Sequence, residues 1–196
     1  MNPCLIALLL VCCGLPAQAW DALGGGSIQA ASRYSREQNA TALIIVQGGK
    51  TLLREFPGGR NPSEPVRIYS GTKFYWCLAA LVAEEKGILS LDERVSDTIP
   101  AWQESKTKAR VTLRQLLNFT SGLPPMDELH EVKVSNRDAL AVRKELVMAP
   151  GSRFIYGPAS LQVFHEVLRR KLQKRGESPS RFLEKQVLKD VASGNL

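Results

Sequence analysis

The chain has 196 residues, of which 44% are hydrophobic and 23% charged, so it is long and apolar enough to fold and is not a disordered chain. Lys and Arg outnumber Asp and Glu by 26 to 19, which gives a net charge of +7. The basic residues concentrate in the range 169–185, where they alternate with apolar residues at helical spacing, and this pattern favours a solvated helix face over a nucleic-acid surface. We therefore expect no nucleic-acid partner.

The first residues have the pattern of a cleaved export signal. An apolar run from Leu5 to Leu15 has the length of a signal-peptide core, and Ala17-Gln18-Ala19 supplies a small-residue cleavage pattern after it. The run is too short to cross a membrane as a helix, so we expect no stable membrane span. We predict a signal peptide over residues 1–19, a domain over residues 20–196, and a secreted or periplasmic protein. Because three of the four cysteines lie in this leader, only Cys77 remains in the mature chain and no internal disulfide is expected.

The segment after the leader predicts a helix followed by a β-hairpin. Ser27 to Asn39 has the composition of a short polar helix, with Ser27 as its N-cap. Thr41 to Gln47 is apolar and β-branched, Gly48-Gly49 provides a two-residue turn, and Lys50 to Phe56 continues as a second strand.

A serine and a lysine stand at the start of an apolar segment. Ser70 and Lys73 are three residues apart, and on a helix this spacing places both side chains on one face. A partly desolvated lysine can serve as the base that a serine nucleophile needs. In the alternative interpretation, Ser70 only caps the helix and Lys73 is a surface residue. The apolar residues from Phe74 to Val82 predict a helix buried on nearly all sides, and Gly87 ends it.

The remaining segments predict a mainly helical region. Thr112 to Gln115 forms a capping box that opens a short helix. Ser135 is predicted to cap a helix that reaches about Val147. A longer helix is predicted from about Ala159 to Lys174, and the loop before it carries Tyr156.

Other catalytic and metal-binding patterns are excluded. The chain has two histidines, His130 and His165, but no Gly-x-Ser-x-Gly sequence that would present the serine of a Ser-His-Asp triad. Neither histidine forms a His-Glu-x-x-His zinc motif, because Val134 and Arg169 occupy the second histidine positions. We expect no metal ion and no cofactor.

Several motifs in a fixed order resemble the serine β-lactamase family of the class C and DD-peptidase type. They are Ser70-Gly71-Thr72-Lys73, Gly87-Ile88-Leu89-Ser90-Leu91-Asp92, Leu113-Arg114-Gln115-Leu116-Leu117 with Thr120-Ser121-Gly122-Leu123-Pro124, and Pro150-Gly151 before Phe154-Ile155-Tyr156. The resemblance covers nearly the whole mature chain. It implies an α+β, β-lactamase/transpeptidase-like fold, of which this chain would hold the N-terminal β-hairpin of the antiparallel sheet and the helical region.

The resemblance also implies an exported serine hydrolase that forms an acyl-enzyme on a β-lactam, a D-Ala peptide or an ester, so the partner would be a small-molecule or peptidoglycan-like substrate. Ser70 would be the nucleophile, Lys73 and Tyr156 would share the proton transfers, and the Ser70 amide would stabilise the oxyanion. The family's tyrosine motif is Tyr-x-Asn, and Gly157 and Pro158 follow Tyr156 here, which makes them candidate substrate-binding residues.

The family closes its site with a Lys-Thr-Gly-like strand, and nothing in this sequence matches that strand. We therefore expect that the C-terminal strands of the sheet are missing and that the chain is inactive when alone. The alternative function is a non-catalytic module that binds a cell-wall or peptide ligand at a degenerate or truncated site.

Overall fold

Residues 24–131 and 133–189 are described by a computed structural model, so the predicted signal peptide and the cysteines within it lie outside the described residues. Contacts divide the chain into two units that adjoin in sequence at Tyr69 and Ser70. The sequence predicted an α+β fold. The described residues agree with this prediction, because they form a small antiparallel sheet and a larger helical unit.

The first unit contains one helix and the predicted β-hairpin. Helix α1 spans Gly25–Glu37, strand β1 spans Leu43–Gln47, and strand β2 spans Lys50–Glu55. The strands pair antiparallel, with a β-bulge after Ile45. Gly48 and Gly49 both have positive φ, 56° and 74°, which a two-residue hairpin turn requires and which glycine adopts without steric cost.

The N-cap prediction for α1 is wrong. Gly24 is the N-cap, and Ser27 lies in the first turn, where its amide donates to the Gly24 carbonyl at 2.9 Å. The helix starts earlier because the glycines before Ser27 adopt helical geometry. Its other end is tied to β2, since Ser32 and Arg36 donate to the Glu55 carboxylate at 2.7 and 2.8 Å.

The second unit is helical. Its helices are α2 (Thr72–Glu85), α3 (Leu113–Leu117), α4 (Arg137–Arg143), α5 (Pro158–Gln173) and α6 (Pro179–Leu183), followed by a π-helical turn over Glu184–Leu188. Short 3₁₀ turns connect α2 to α3 and α3 to α4. The predicted capping box opens α3, as Thr112 accepts from the Gln115 amide and Gln115 accepts from the Thr112 amide. None of the helices in the described part of the chain is long and apolar enough to cross a membrane.

The core of this unit forms around α5. Its apolar stripe is fully buried and packs with side chains from the other helices and from the turns between α2 and α3. The largest fully buried side chains are Trp102, Phe164, Phe182, Ile99, Leu113 and Leu116. Helix α5 was predicted over nearly the observed range, because a stripe at helical spacing is a strong signal.

Helix α2 is not buried on nearly all sides, which corrects the sequence prediction. Its small residues Ala79, Ala80 and Ala83 face the core, whereas Phe74 and Leu81 are 61% and 53% exposed. Alanines allow the core to approach α2 on one side only, and the larger residues on the opposite side stay in solvent. Cys77 is half-buried between these faces, and burial raises the pKa of its thiol, so the bulk of this thiol stays protonated at neutral pH.

Helix α4 also differs from its prediction at both ends. Asn136, rather than Ser135, is the N-cap, because its side chain accepts from the Ala139 amide at 2.9 Å. The helix ends at Arg143 and does not reach Val147. Its last carbonyl groups are instead bound by the side chains of Trp102 and Lys108, which lie outside the helix.

The basic residues of α5 are paired with acids. Arg169 and Arg170 both bind Glu166 at 2.7 Å, and Lys171 binds Glu93 at 2.7 Å. Arg169, by hydrogen bonding, holds the pKa of the Glu166 carboxyl below its usual range, and Arg170 adds to the effect. Three of the basic residues in the range 169–185 are therefore held in ion pairs on the helix.

The buried side chain of Lys108 binds the C-terminal end of α4. The Lys108 side chain is 6% exposed, and its Nζ lies 3.0 Å from the Glu145 carboxylate and 3.5 Å from the Val142 and Arg143 carbonyl oxygens. Trp102 Nε1 donates to the same Val142 carbonyl at 2.9 Å. A positive charge at the C-terminus of a helix interacts favourably with the helix dipole.

We expect Lys108→Met to lower the free energy of unfolding by about 1–2 kcal/mol, because it keeps the apolar stem but removes the donor to the last carbonyls of α4. Urea unfolding followed by circular dichroism measures the change. Lys106→Met, at an exposed position in the same segment, is the matched control and should stay within about 0.5 kcal/mol of the wild type. Equal stabilities for the two variants would contradict this account of α4.

Candidate active site

Ser70 lies in a strained turn directly before α2. It belongs to the 3₁₀ turn Tyr69–Gly71, and α2 begins at the next residue, Thr72. The Ser70 side chain is exposed. Tyr69 has φ of 46°, in the left-handed region that tyrosine rarely adopts. Strained backbone of this kind is concentrated at functional sites, where the surrounding structure enforces it.

Lys73 contacts Ser70 directly. Its Nζ donates a hydrogen bond to Ser70 Oγ at 2.8 Å, across the junction between the 3₁₀ turn and the helix. The three-residue spacing in the sequence predicted this proximity. Lys73 is half-buried, so its ammonium group is not a freely hydrated surface charge.

Tyr156 completes the cluster. Lys73 Nζ lies 4.9 Å from the centroid of the Tyr156 ring. The pKa of the phenol is lowered from its ordinary value, first by a hydrogen bond with the Ser70 side chain and then by hydrogen bonding and charge from Lys73. The structure therefore brings together the three predicted catalytic residues.

Two aromatic neighbours hold the Tyr156 ring, and the sequence did not point to them. The Phe119 ring lies 5.3 Å from the Tyr156 ring, and Phe154 stacks on it at 6.5 Å. The Ile155 amide donates to the Phe119 carbonyl at 2.8 Å, which fixes the loop before α5 against the turn after α3. Phe119 has φ of 61°, a second unusual backbone conformation beside the cluster.

Gly157 positions the loop by allowing a close backbone contact. A Cβ at this position would lie 2.3 Å from the Pro125 carbonyl oxygen and 2.4 Å from its Cα, so only glycine fits. The buried hydroxyls of Ser121 and Ser160 are 2.9 Å apart and join the same two segments. Gly157 was predicted to bind substrate, but it is buried and is not among the residues that line the cavity beside the cluster.

Pro158, the second predicted substrate-binding residue, does line that cavity. It is buried as the first residue of α5, where proline's missing amide hydrogen costs nothing. The cavity is about 360 Å³ and lies beside Lys73. Its remaining walls are formed by Thr72, Trp76, Leu129, His130, Arg137, Leu161, Gln162 and His165.

An aspartate and a histidine pair on one wall of the cavity. His165 Nδ1 and Asp138 Oδ2 are 2.6 Å apart, and the His165 ring packs edge-on against Trp76 at 5.5 Å. From the sequence, His165 was a candidate only for a Ser-His-Asp triad or for a zinc motif. Its partner comes from α4, so no local spacing could have found it. Among the residues that the structure describes, no group of three or more His, Cys, Asp or Glu side chains could hold a metal ion.

Comparison with known proteins assigns the family. The β-lactamase family profile matches residues 29–191. The chain belongs to the β-lactamase family. Its structural neighbours are class C β-lactamases and penicillin-binding-protein-like proteins, and a class C β-lactamase from Rhodobacter sphaeroides superposes with a TM-score of 0.64 at 21% identity. That match covers 86% of this chain and 49% of the neighbour, so the family fold is shared over most of the chain.

Two curated relatives also resemble parts of this β-lactamase-family chain. Protein flp of Staphylococcus aureus (strain MW2) is 29% identical over 132 residues, which are 59% of this chain and 26% of that protein. Acyltransferase mokF of Monascus pilosus is 26% identical over 161 residues, which are 67% of this chain and 38% of that protein. The chain thus spans well under half the length of these relatives.

We expect the Tyr156 phenol to ionise below its ordinary pKa, because Ser70 and Lys73 stabilise the phenolate. Ultraviolet difference titration measures tyrosinate, and Tyr156→Phe identifies the component that belongs to this residue. Ser70→Ala removes the first cause of the shift, so this component should move to higher pH. The control is Tyr34→Phe, which removes an exposed tyrosine and should leave the component in place. A Tyr156 component insensitive to Ser70→Ala would refute the contact.

We expect Gly157→Ala to separate the start of α5 from the Pro125 backbone, because the added Cβ has no room. The variant should unfold at lower temperature, and the Tyr156 titration should move toward the ordinary value as the ring leaves Lys73. Gly26→Ala is the control, since a Cβ there has nothing within 4 Å. An unchanged melting temperature and titration in Gly157→Ala would show that this contact does not position Tyr156.

Proposed function

We propose that this protein is an exported serine hydrolase or acyltransferase that works through an acyl-enzyme on Ser70. The observation that carries the proposal is the cluster in which Lys73 Nζ binds Ser70 Oγ at 2.8 Å beside a tyrosine of lowered pKa. The position of Lys73 Nζ, 4.9 Å from the centroid of the Tyr156 ring, favours this proposal over the interpretation in which Ser70 only caps the helix and Lys73 is a surface residue. Export is proposed from the apolar run and small-residue pattern of residues 1–19.

In the proposed reaction, Ser70 Oγ forms a bond with a substrate carbonyl carbon. The serine proton passes to the Tyr156 oxygen, and the Lys73 charge favours the anionic form of that phenol before the transfer. When the tetrahedral intermediate collapses, the bond to the leaving group breaks, and the leaving group takes the proton. Water, or the hydroxyl of an acceptor, then attacks the acyl-enzyme by the same route in reverse and regenerates Ser70.

The carbonyl oxygen becomes negative during the attack. Ser70 lies at the N-terminal end of α2, where backbone amides and the helix dipole favour negative charge. We assign the Ser70 amide as one donor to this oxyanion. Ser70 and the positive end of the helix dipole therefore lie together at the start of α2. This arrangement suits acyl transfer to and from an oxygen nucleophile.

The proposed substrates are a β-lactam, a D-Ala peptide or an ester. The name of the Rhodobacter sphaeroides neighbour supports a β-lactam, and the name of the Monascus pilosus relative supports transfer to an acceptor other than water. Each substrate offers a carbonyl carbon with a leaving group, so one cluster can form the same type of acyl-enzyme with all three.

The second candidate is a non-catalytic module that binds a cell-wall or peptide ligand. Pro158 favours it, because proline stands where the resemblance expects asparagine and offers no amide side chain to the cavity beside Lys73. Such a module would hold the ligand near Ser70 without forming a covalent bond.

Covalent labelling tests the proposal. The chain is incubated with a fluorescent penicillin and with a 4-nitrophenyl ester, and intact mass spectrometry measures the acyl adduct. We expect an adduct that is absent from Ser70→Ala, and acylation slowed by about 10²–10⁴-fold in Lys73→Met and Tyr156→Phe. The adduct is measured because the chain alone is expected to show no turnover.

The control is Ser180→Ala, which changes an exposed serine of α6 and should label like the wild type. An adduct that persists in Ser70→Ala would overturn the assignment of the nucleophile. Reversible binding of penicillin without any adduct would favour the non-catalytic module.

A further inference from the structure

The ionisable residues that line the cavity beside Lys73 are all basic. Its ionisable lining residues are Lys73, His130, Arg137 and His165, and none of the lining residues in the described part of the chain is acidic. Lys73 is shared with the nucleophile cluster, since its Nζ also binds Ser70 Oγ. A volume of about 360 Å³ is within the range of small-molecule sites.

Two of the three acids near the cavity have a basic partner. The Asp138 carboxylate is held 2.6 Å from His165 Nδ1, which also fixes the orientation of that ring. Glu128 lies 3.9 Å from Lys144, and Glu131 turns its backbone carbonyl toward Arg137. None of these three carboxylates lines the cavity, but Asp138 pairs with the lining residue His165; within the described residues, Lys73 and Arg137 have no ion pair with an acid.

Arg137 has donors that the described residues do not use. Its Nη2 donates to the Glu131 carbonyl at 3.1 Å, and this is its only hydrogen bond within the described ranges. Nε is also without a partner there, but it is closed to solvent, so a ligand in the cavity would meet the outer nitrogens of the guanidinium. Unpartnered buried donors are rare and call for an explanation. The planar guanidinium matches the geometry of a carboxylate or a phosphate, which can each accept two parallel hydrogen bonds from it.

The rest of the wall is apolar. Trp76, Leu129, Pro158 and Leu161 line it together with the Gln162 amide. A ligand that fits this combination has a short apolar stem and an anionic end, which a carboxylic acid provides. A highly hydrated inorganic anion would leave the apolar wall without contact.

We propose that this cavity binds a carboxylate of the substrate through Arg137, and that the enzyme therefore prefers anionic substrates. The inference rests on the proposed acyl-transfer function, because it treats the cavity as part of the same site. Arg137 is a binding residue in this proposal, and Lys73 joins the cavity to the reacting serine. His130 and His165 also line the cavity.

Direct binding tests the cavity without requiring catalysis. Adipate and its uncharged analogue adipamide are titrated into the chain and followed by NMR. We expect adipate to bind at least tenfold more tightly than adipamide, in the wild type and in Ser70→Ala alike. Arg137→Gln should weaken adipate binding at least tenfold. Arg143→Gln, which changes an exposed arginine of the same helix, is the matched control and should bind like the wild type. Equal affinity of adipate for Arg137→Gln and the wild type would overturn the proposal.

Acylation by paired esters then connects the cavity to the reaction. The carboxylate is placed on the acyl group (4-nitrophenyl adipate against 4-nitrophenyl hexanoate) or on the leaving group (4-carboxyphenyl against phenyl hexanoate). We expect a preference of at least tenfold for the anionic ester in one pair, and Arg137→Gln should lower the ratio of the anionic to the neutral acylation rate at least tenfold. If neither pair shows a preference for the anionic ester, the inference about the cavity is overturned and the proposed function stands. If no ester acylates the chain while adipate still binds, the proposed function is overturned and the cavity inference stands.

Discussion

The site depends on the close contact between Gly157 and Pro125. Tyr156 precedes this contact in the chain, so its ring can reach Lys73 only if the start of α5 lies directly against the turn after α3. The buried Ser121 and Ser160 hydroxyls, 2.9 Å apart, satisfy each other at the same junction. A backbone contact of this kind tolerates little change, because a single methyl group would collide with the Pro125 carbonyl. The tyrosine is thus positioned by packing rather than by its own loop.

The same arrangement shapes the cavity. Pro158 follows Gly157 and forms part of the wall, so the contact that places Tyr156 also fixes one side of the space beside Lys73. The opposite side depends on α4, whose last carbonyls are bound by Trp102 and Lys108. Asp138, on this helix, reaches His165 on α5. The contact between Asp138 and His165 thus links a charged side chain of α4 to a residue of the cavity wall.

Local patterns were predicted well where neighbours in sequence are neighbours in space. The hairpin, the capping box at Thr112 and the stripe of α5 follow from turn chemistry and helical periodicity. The caps predicted at Ser27 and Ser135 were wrong, because the glycines before Ser27 adopt helical geometry and the side chain of Asn136 caps α4. The exposed face of α2 was missed since apolar composition does not show which face meets the core.

The sequence by itself determined the pairing of Ser70 with Lys73, because a three-residue spacing at the start of a helix places both side chains together. It also indicated the family, through several motifs in order, and the family profile over residues 29–191 confirms that family. Only the tertiary structure decided how Tyr156 meets that pair, that Phe119 supports its ring, and that Arg137 and His165 share a cavity with Lys73. These contacts join residues far apart in the chain, and their geometry depends on how whole helices pack rather than on any local pattern.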